Sequence, residues 1–442
     1  MKYRITVILI VMAGLLRPPS QAVAEEPQDE KSVLEHLAGH LSWDFRILSY
    51  GIFQQPANST QNPANRLLRL SSRMAHMEVR PDLRLSFDRL EFRAKPRFRL
   101  DVETYNDGKG GNQLNREDRM YLNEWLARLC VYKNLFVSYG RENLQWGPSF
   151  LFSPSNPFFV DNGRRNTYME IPGMDFGRIV WLPDNLWSVS FIANTGQGEN
   201  SIPRPGGFKR TYALKMDYTG REKYASFIIS RKENSETTLG FYGGWTFTDA
   251  MLLYAECMLI RSGGFLYPVE NRSPFGFTLE RLHAQDSTLD PVLLFGGSYT
   301  FMTKGALAIE YAYYGPGYTG LEADRYYELR SRAAAAFEDS AILSGLGQQT
   351  LGMTASTGLR FLRRNYSMVQ YSQPDIADRI DLTFRWTRNL DDGSSRFTSI
   401  FGCSVGNHME LFSVGTFSIG DRNKEFTSIL DNQLQLGLQY TF

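Results

Sequence analysis

The chain holds 442 residues, 42% of them apolar and 14% aromatic, with 48 basic against 47 acidic side chains. That balance gives no electrostatic case for a nucleic-acid partner, the apolar content excludes a disordered chain, and no glycine period marks a collagen. The 30 Phe, 23 Tyr and 7 Trp beside 38 Gly are the mixture of an all-β chain.

At the N-terminus, Lys2 and Arg4 precede an apolar run from Ile5 to Leu16, and Ala22-Val23-Ala24 offers an A-x-A cleavage site. These are the three parts of a secretory signal over residues 1–24. Without it, 45 basic side chains face 47 acidic ones, and no apolar run approaches the ~18 residues of a spanning helix. Residues 25–40 (EEPQDEKSVLEHLAGH) form a short periplasmic segment in which Val33, Leu34 and Leu37 have helical spacing. A short helix or lumen plug and an unstructured acidic lead-in both fit this segment. His36 and His40 stand at i, i+4 without a third ligand, so no metal is expected.

From residue 41 to 442 the pattern has period two. Over 89–103, Arg89, Glu91, Arg93, Lys95, Arg97, Arg99, Asp101 and Glu103 share one parity, while Leu90, Phe92, Ala94, Phe98, Leu100 and Val102 share the other. Successive side chains of a strand point to opposite faces, so one face is charged and the other apolar. Residues 379–387 and 433–442 repeat the alternation. Strands are predicted at 41–53, 71–85, 89–104, 119–131, 135–143, 174–182, 186–194, 208–218, 224–231, 236–247, 250–261, 290–302, 305–314, 360–373, 378–388, 395–404, 407–419 and 427–442. Their length of about ten residues matches a tilted membrane crossing rather than the shorter strands of a sandwich. Short connections such as Tyr132-Lys133-Asn134 and Gly406-Asn407 fall on one side, and the long ones at 54–70, 105–118, 144–173, 195–207, 262–289 and 315–359 on the other. The expected fold is therefore an all-β transmembrane antiparallel barrel of about 18 strands, with 16 as the alternative, short periplasmic turns and long extracellular loops.

The C-terminus carries a resemblance. Gln435, Gly437, Tyr440 and Phe442 resemble the terminal assembly signal of bacterial outer-membrane proteins. The chain is thus similar to Gram-negative outer-membrane β-barrels of porin-like type. GRENLQWGPS (140–149) and RNLDDGS (388–394) resemble segments of uncharacterised bacterial barrels, and the strand number is similar to that of alginate exporters and capsule-anchoring barrels. The resemblance implies the cell outer membrane, with its lipid, lipopolysaccharide and barrel-assembly machinery as partners.

Two features bear on function. In residues 144–160, Trp146, Phe150, Phe152, Phe158 and Phe159 stand among Pro148, Pro154 and Pro157. Prolines exclude a strand and the aromatics need cover, which predicts either a constriction folded into the lumen or packing on the barrel rim. By parity, Arg93, Lys95, Arg97, Arg99, Lys209, Lys215, Arg379 and Arg385 point inward, with Asp101, Glu103 and Asp381 among the interspersed acids. Such charges either select permeants by sign or pair across neighbouring strands. Residues 321–339 read as a helix within an extracellular loop. No catalytic group or cofactor is indicated. The resulting expectation is a passive channel for small hydrophilic solutes, with a slight basic excess favouring anions or acidic saccharides. Surface-polysaccharide export or capsule anchoring is the alternative.

Overall fold

Alternating charged and apolar side chains bury only one face of a strand, and a sheet closed on itself removes both the exposed edge and the unpaired backbone. The computed structural model describes residues 39–106, 112–159, 161–199, 207–235, 237–261, 264–281, 289–340 and 342–442. The secretory leader at 1–24 lies outside the described residues, as does the segment 25–40 apart from Gly39 and His40.

Eighteen strands form one antiparallel sheet. They are β1 (Leu41–Pro56), β2 (Arg73–Ser86), β3 (Leu90–Asn106), β4 (Asn112–Tyr132), β5 (Leu135–Glu142), β6 (Met174–Trp181), β7 (Trp187–Gly196), β8 (Thr211–Thr219) and β9 (Lys223–Lys232). The sheet continues through β10 (Thr237–Thr248), β11 (Met251–Arg261), β14 (Leu289–Thr300), β15 (Ala306–Tyr314), β16 (Asn365–Ile376), β17 (Ile380–Asn389), β18 (Ser395–Val405), β19 (Met409–Ile419) and β20 (Leu430–Thr441). β20 pairs back onto β1, from Arg46↔Thr441 to Pro56↔Leu430, and closes the barrel. In β20, Leu434 and Leu436 face outward at 41% and 46% exposure, whereas Gln435 between them faces the lumen and is buried. Trp43, Trp181, Trp187, Trp245 and Phe442 stand exposed near the end that carries the short turns.

The predicted strands differ from the observed ones mainly at their ends. The β3–β4 hairpin runs on to Asn106 and Asn112, so the expected loop 105–118 is mostly strand. β16 begins at Asn365 rather than 360. Arg379 lies in the exposed turn before β17 and Lys209 precedes β8, so neither occupies the wall position that parity assigned.

Two prolines shape the wall beside the site. Pro96 in β3 and Pro81 in β2 lack the N–H a ladder needs. Pairing accordingly jumps from Val79↔Phe98 to Leu83↔Ala94, and a bulge between Lys95 and Pro96 leaves Asn123 of β4 unopposed.

At the long-loop end, β12 (Leu266–Glu270) and β13 (Phe277–Arg281) form a separate hairpin that packs with helices α1 (Gly320–Asp339) and α2 (Ser344–Ala355). Thr319 and Glu322 close a capping box on α1, and Tyr326, Leu329 and Ala333 bury its inner face. α2 was hidden by its glycines, each worth about 1 kcal/mol against a helix. Packing rescues it: a side chain at Gly347 would meet Ala333 O at 2.6 Å, so the helices approach backbone to backbone.

Gly437 faces the lumen, where a Cβ would strike the Phe412 ring and lie 2.7 Å from Ser49 O. Gly437→Ala is expected to destabilise the barrel by about 1–3 kcal/mol, seen as a lower denaturant midpoint of the refolded protein. An unchanged midpoint would contradict this packing.

Candidate permeation path

An eighteen-stranded wall encloses more space than its own side chains fill. Residues 143–159 and 161–173, between β5 and β6, fold into that space. Prolines 148, 154 and 157 deny the segment a ladder of its own, so its main chain needs acceptors elsewhere. Two wall carboxylates supply them, each 1% exposed. Glu256 of β11 accepts from Ser149 Oγ at 2.9 Å, Ser155 Oγ at 2.6 Å and Ser155 N at 3.1 Å, and also from the Ser153 hydroxyl. Glu310 of β15 accepts from Phe150 N at 2.6 Å, Leu151 N at 2.8 Å and Tyr254 OH at 2.7 Å. A buried carboxylate without such donors would be strongly disfavoured. Gly147 is required beside Glu256: its φ is +91° and a Cβ would lie 2.6 Å from the carboxylate.

The flanks of the segment are fixed as well. Phe158 and Phe159 pack on Met174, Phe176 and Ile192 of the wall, with Trp146 against Phe158. Tyr168 stacks on Phe412 at 3.8 Å between centroids and donates to Glu410 at 2.6 Å. On the β2–β3 side, Arg97 Nε and Nη2 donate to both oxygens of Glu170 at 2.8 and 2.9 Å, and Nη2 also reaches Asp82 at 2.8 Å. Its Nη1 donates to the carbonyls of Pro81 and Pro96 at 3.1 and 2.9 Å, where the two prolines opened the ladder. All five N–H groups are thereby used. Burial alone would raise the Glu170 carboxyl, but Arg97, with Arg80 and Lys95 nearby, holds it below the ordinary value.

The remaining open space runs along β16–β20. A cavity of about 200 Å³ lies toward the long-loop end, bordered by Arg165, Arg385, Arg396, Phe361 and Phe426. A second of about 590 Å³ lies toward the short-turn end, bordered by Arg46, Arg164, Asp381 and Glu410. Phe150 and Arg385 line both, so this pair stands between the two spaces. Arg385 is oriented by Gln370 Oε1 and Arg164 O, both at 2.7 Å. Near the upper cavity, Arg396 Nε and the Nε and Nη2 of Arg360 are buried without a hydrogen-bond partner among the described residues.

Of the charges nominated by parity, only Arg385 and Asp381 border these cavities. Lys209 and Arg379 lie outside the strands and Arg97 is bound to Glu170 of the segment, while the rest are paired within the wall. Arg93 donates to Glu91 at 2.7 Å, Lys95 to Glu124 at 3.0 Å, Arg99 to Asp101 and Lys215 to Asp217, while Glu103 accepts from Tyr105. Of the nominated aromatics, Phe150 borders open space, whereas Phe152, Phe158 and Phe159 anchor the segment in apolar clusters. Arg164, Arg165, Arg360 and Arg396 were missed. Arg164 and Arg165 lie in an irregular segment where parity has no meaning, whereas Arg360 and Arg396 fell in predicted strands and their parity went unused.

No protein-family model matches the chain, and no curated protein matches it in sequence. Its fold is similar to that of solved porin-like barrels. OccAB1 of Acinetobacter baumannii aligns with a TM-score of 0.54 at 10% identity, covering 91% of this chain and 96% of that one. OccK11 (OpdR) of Pseudomonas aeruginosa gives 0.52 at 10% identity over 91% and 96%, and OpdQ of the same organism 0.51 at 9% over 91% and 98%. At such identities the likeness is one of fold, the closed antiparallel barrel of eighteen strands.

Next to Phe426, which lines the upper cavity, Glu425 joins three loops. It accepts from Tyr366 OH at 2.5 Å, Asn389 Nδ2 at 2.8 Å and Leu362 N at 3.0 Å, while its own N–H donates to Asp392 at 3.0 Å. Burial pushes its carboxyl up to about 7, against the pull of those donors and with the Asp392 charge adding to the rise. The folded protein therefore binds this proton more tightly than an unfolded chain does. Its stabilising contribution is complete at low pH and falls as pH rises towards about 7, with no further loss above. Amide-exchange protection of residues 420–429, corrected for intrinsic rates, should decline from pH 5 to 7 in the native protein and stay flat in Glu425→Gln. Separately, Glu310→Ala should cost the segment about 1–3 kcal/mol per orphaned N–H, read as faster exchange at Phe150 and Leu151. Unchanged protection there would refute the anchoring role.

Proposed function

We propose that the protein is an outer-membrane channel through which small hydrophilic solutes, preferentially anions, diffuse down their gradient. The observation that carries this reading is the pair of lumen cavities on either side of Phe150 and Arg385, with Arg164, Arg165 and Arg396 beside them. The wide ring of charges elsewhere is neutralised in pairs, so guanidinium groups dominate the open part of the path. Fixed charge lining a narrow aqueous passage selects by sign, and passage needs neither cofactor nor covalent step.

The apolar outer face, the aromatic belt at the short-turn end and the closed hydrogen-bonding of the wall support a membrane position, with short turns in the periplasm and long loops outside. In this reading the leader at 1–24 directs export, and Gly437, Tyr440 and Phe442 present the strand end that the barrel-assembly machinery recognises. A segment pinned across the lumen leaves a passage suited to small solutes rather than to a polysaccharide chain in transit.

The test is single-channel recording of the refolded protein in a planar bilayer under a salt gradient. Stable open steps with an anion-selective reversal potential are expected. Arg385→Glu should lower the anion-to-cation permeability ratio several-fold, and Phe150→Ala should raise conductance without changing its sign preference. A silent, correctly folded barrel would sink the channel reading.

A further inference from the structure

We infer that the outer surface of β1–β4 and β20, at the long-loop rim, binds the phosphorylated headgroup of a glycolipid in the outer leaflet. This rests on the membrane orientation proposed above.

A tilted strand crosses the apolar layer in about ten residues. Counted from the short-turn end, that length runs from Trp43 to Phe53 on β1 and from Phe442 to Leu434 on β20. Phe53 and Leu434 are paired in register and face outward, 50% and 41% exposed, so they mark the upper border of the apolar band. The level above changes in chemistry. Gln55 and Asn432 are bonded side chain to side chain at 3.1 Å, and Thr104 of β3 pairs with Arg73 of β2. These six residues border one concavity of about 560 Å³ on the outer wall.

Arg73 belongs to this surface and not to the lumen. It shares the exposed parity of Ala75 and Met77, whereas His76 and Glu78 face inward and are buried. No carboxylate pairs with it among the described residues. Arg116 of β4 lies on the same outward face, opposite Val102, which in turn opposes Ala75. The one described acid on this part of the face, Asp118, stands two residues nearer the apolar band. The surface thus offers two guanidinium groups for phosphate, amide and hydroxyl groups for sugar, and an apolar floor for the first carbons of acyl chains. A phospholipid with a small headgroup would use the cations but leave the row of hydrogen-bonding side chains unmatched. A phosphorylated disaccharide lipid of the lipid A kind uses all three.

The refolded full-length barrel in detergent would be titrated with bisphosphorylated lipid A, with the same lipid stripped of phosphate, and with phosphatidylglycerol, each followed by native mass spectrometry. The site predicts binding of the phosphorylated glycolipid in preference to both others. Arg73→Ala with Arg116→Ala should weaken that binding by about tenfold or more, since each lost bond is charge-assisted. Heat-modifiable migration on gels confirms that the variant barrel has folded. Equal binding by the double variant, or phosphatidylglycerol binding as tightly as lipid A, would overturn the proposal. Bilayer conductance of the same samples separates the two readings. A variant that keeps native conductance while losing lipid A affects only the rim, and a native protein that conducts but never binds lipid A removes the rim site alone.

Discussion

The structure depends on two buried carboxylates in the barrel wall. Glu256 and Glu310 face the lumen from β11 and β15, where an uncompensated charge would be strongly disfavoured, and the segment 143–173 brings the hydroxyl and main-chain donors they need. The dependence is mutual. Proline-interrupted backbone has no ladder to join, so without these acceptors its N–H groups would be buried and orphaned. Wall and segment each supply what the other lacks.

The same coupling explains the asymmetry of the interior. On the β6–β15 side, Phe152, Phe158 and Phe159 cover inward apolar residues such as Phe176, Ile192 and Leu294, and the lumen is filled. On the β2–β4 side, charges are dense but mutually satisfied, with Arg97 tying Glu170 of the segment to a wall opened by two prolines. The two cavities lie along β16–β20, where hydroxyl- and amide-bearing residues alternate with Arg385 and Arg396. Charge is thus paired off along much of the inner wall, and Arg385 and Arg396 stand beside the cavities.

Much of this was legible in the sequence. A period of two is a local property of extended backbone, so the faces of β3, β17 and β20 could be read without knowing their partners. Strand number followed from these faces together with connection lengths. Strand ends were less legible, because β4 extends well beyond Arg119 towards the long-loop end, and α2 forms by close packing that its glycines conceal. The prediction of a segment rich in Pro and Phe left lumen and rim both open, and its placement in the lumen rests on long-range bonds to Glu256 and Glu310. Parity placed Arg97 correctly on the inner face, but only the broken ladder at Pro81 and Pro96 reveals that every one of its donors is engaged. Arg164 and Arg165 carried no pattern, since side-chain direction in irregular backbone is set by tertiary contacts.

The bonds to Glu256 and Glu310 make the segment a fixed part of the wall and not a moving plug. A side chain built on Gly240 would place its Cβ 3.3 Å from that of Ser155, close to the ~3.5–4.5 Å of a disulfide. Gly240→Cys with Ser155→Cys, in a chain whose Cys130, Cys257 and Cys403 are replaced by Ala, tests this directly by single-channel recording before and after reduction. The cross-link is expected to form readily, with the same conductance in both states. Failure to cross-link, or a conductance that changes when the bond is broken, would contradict it.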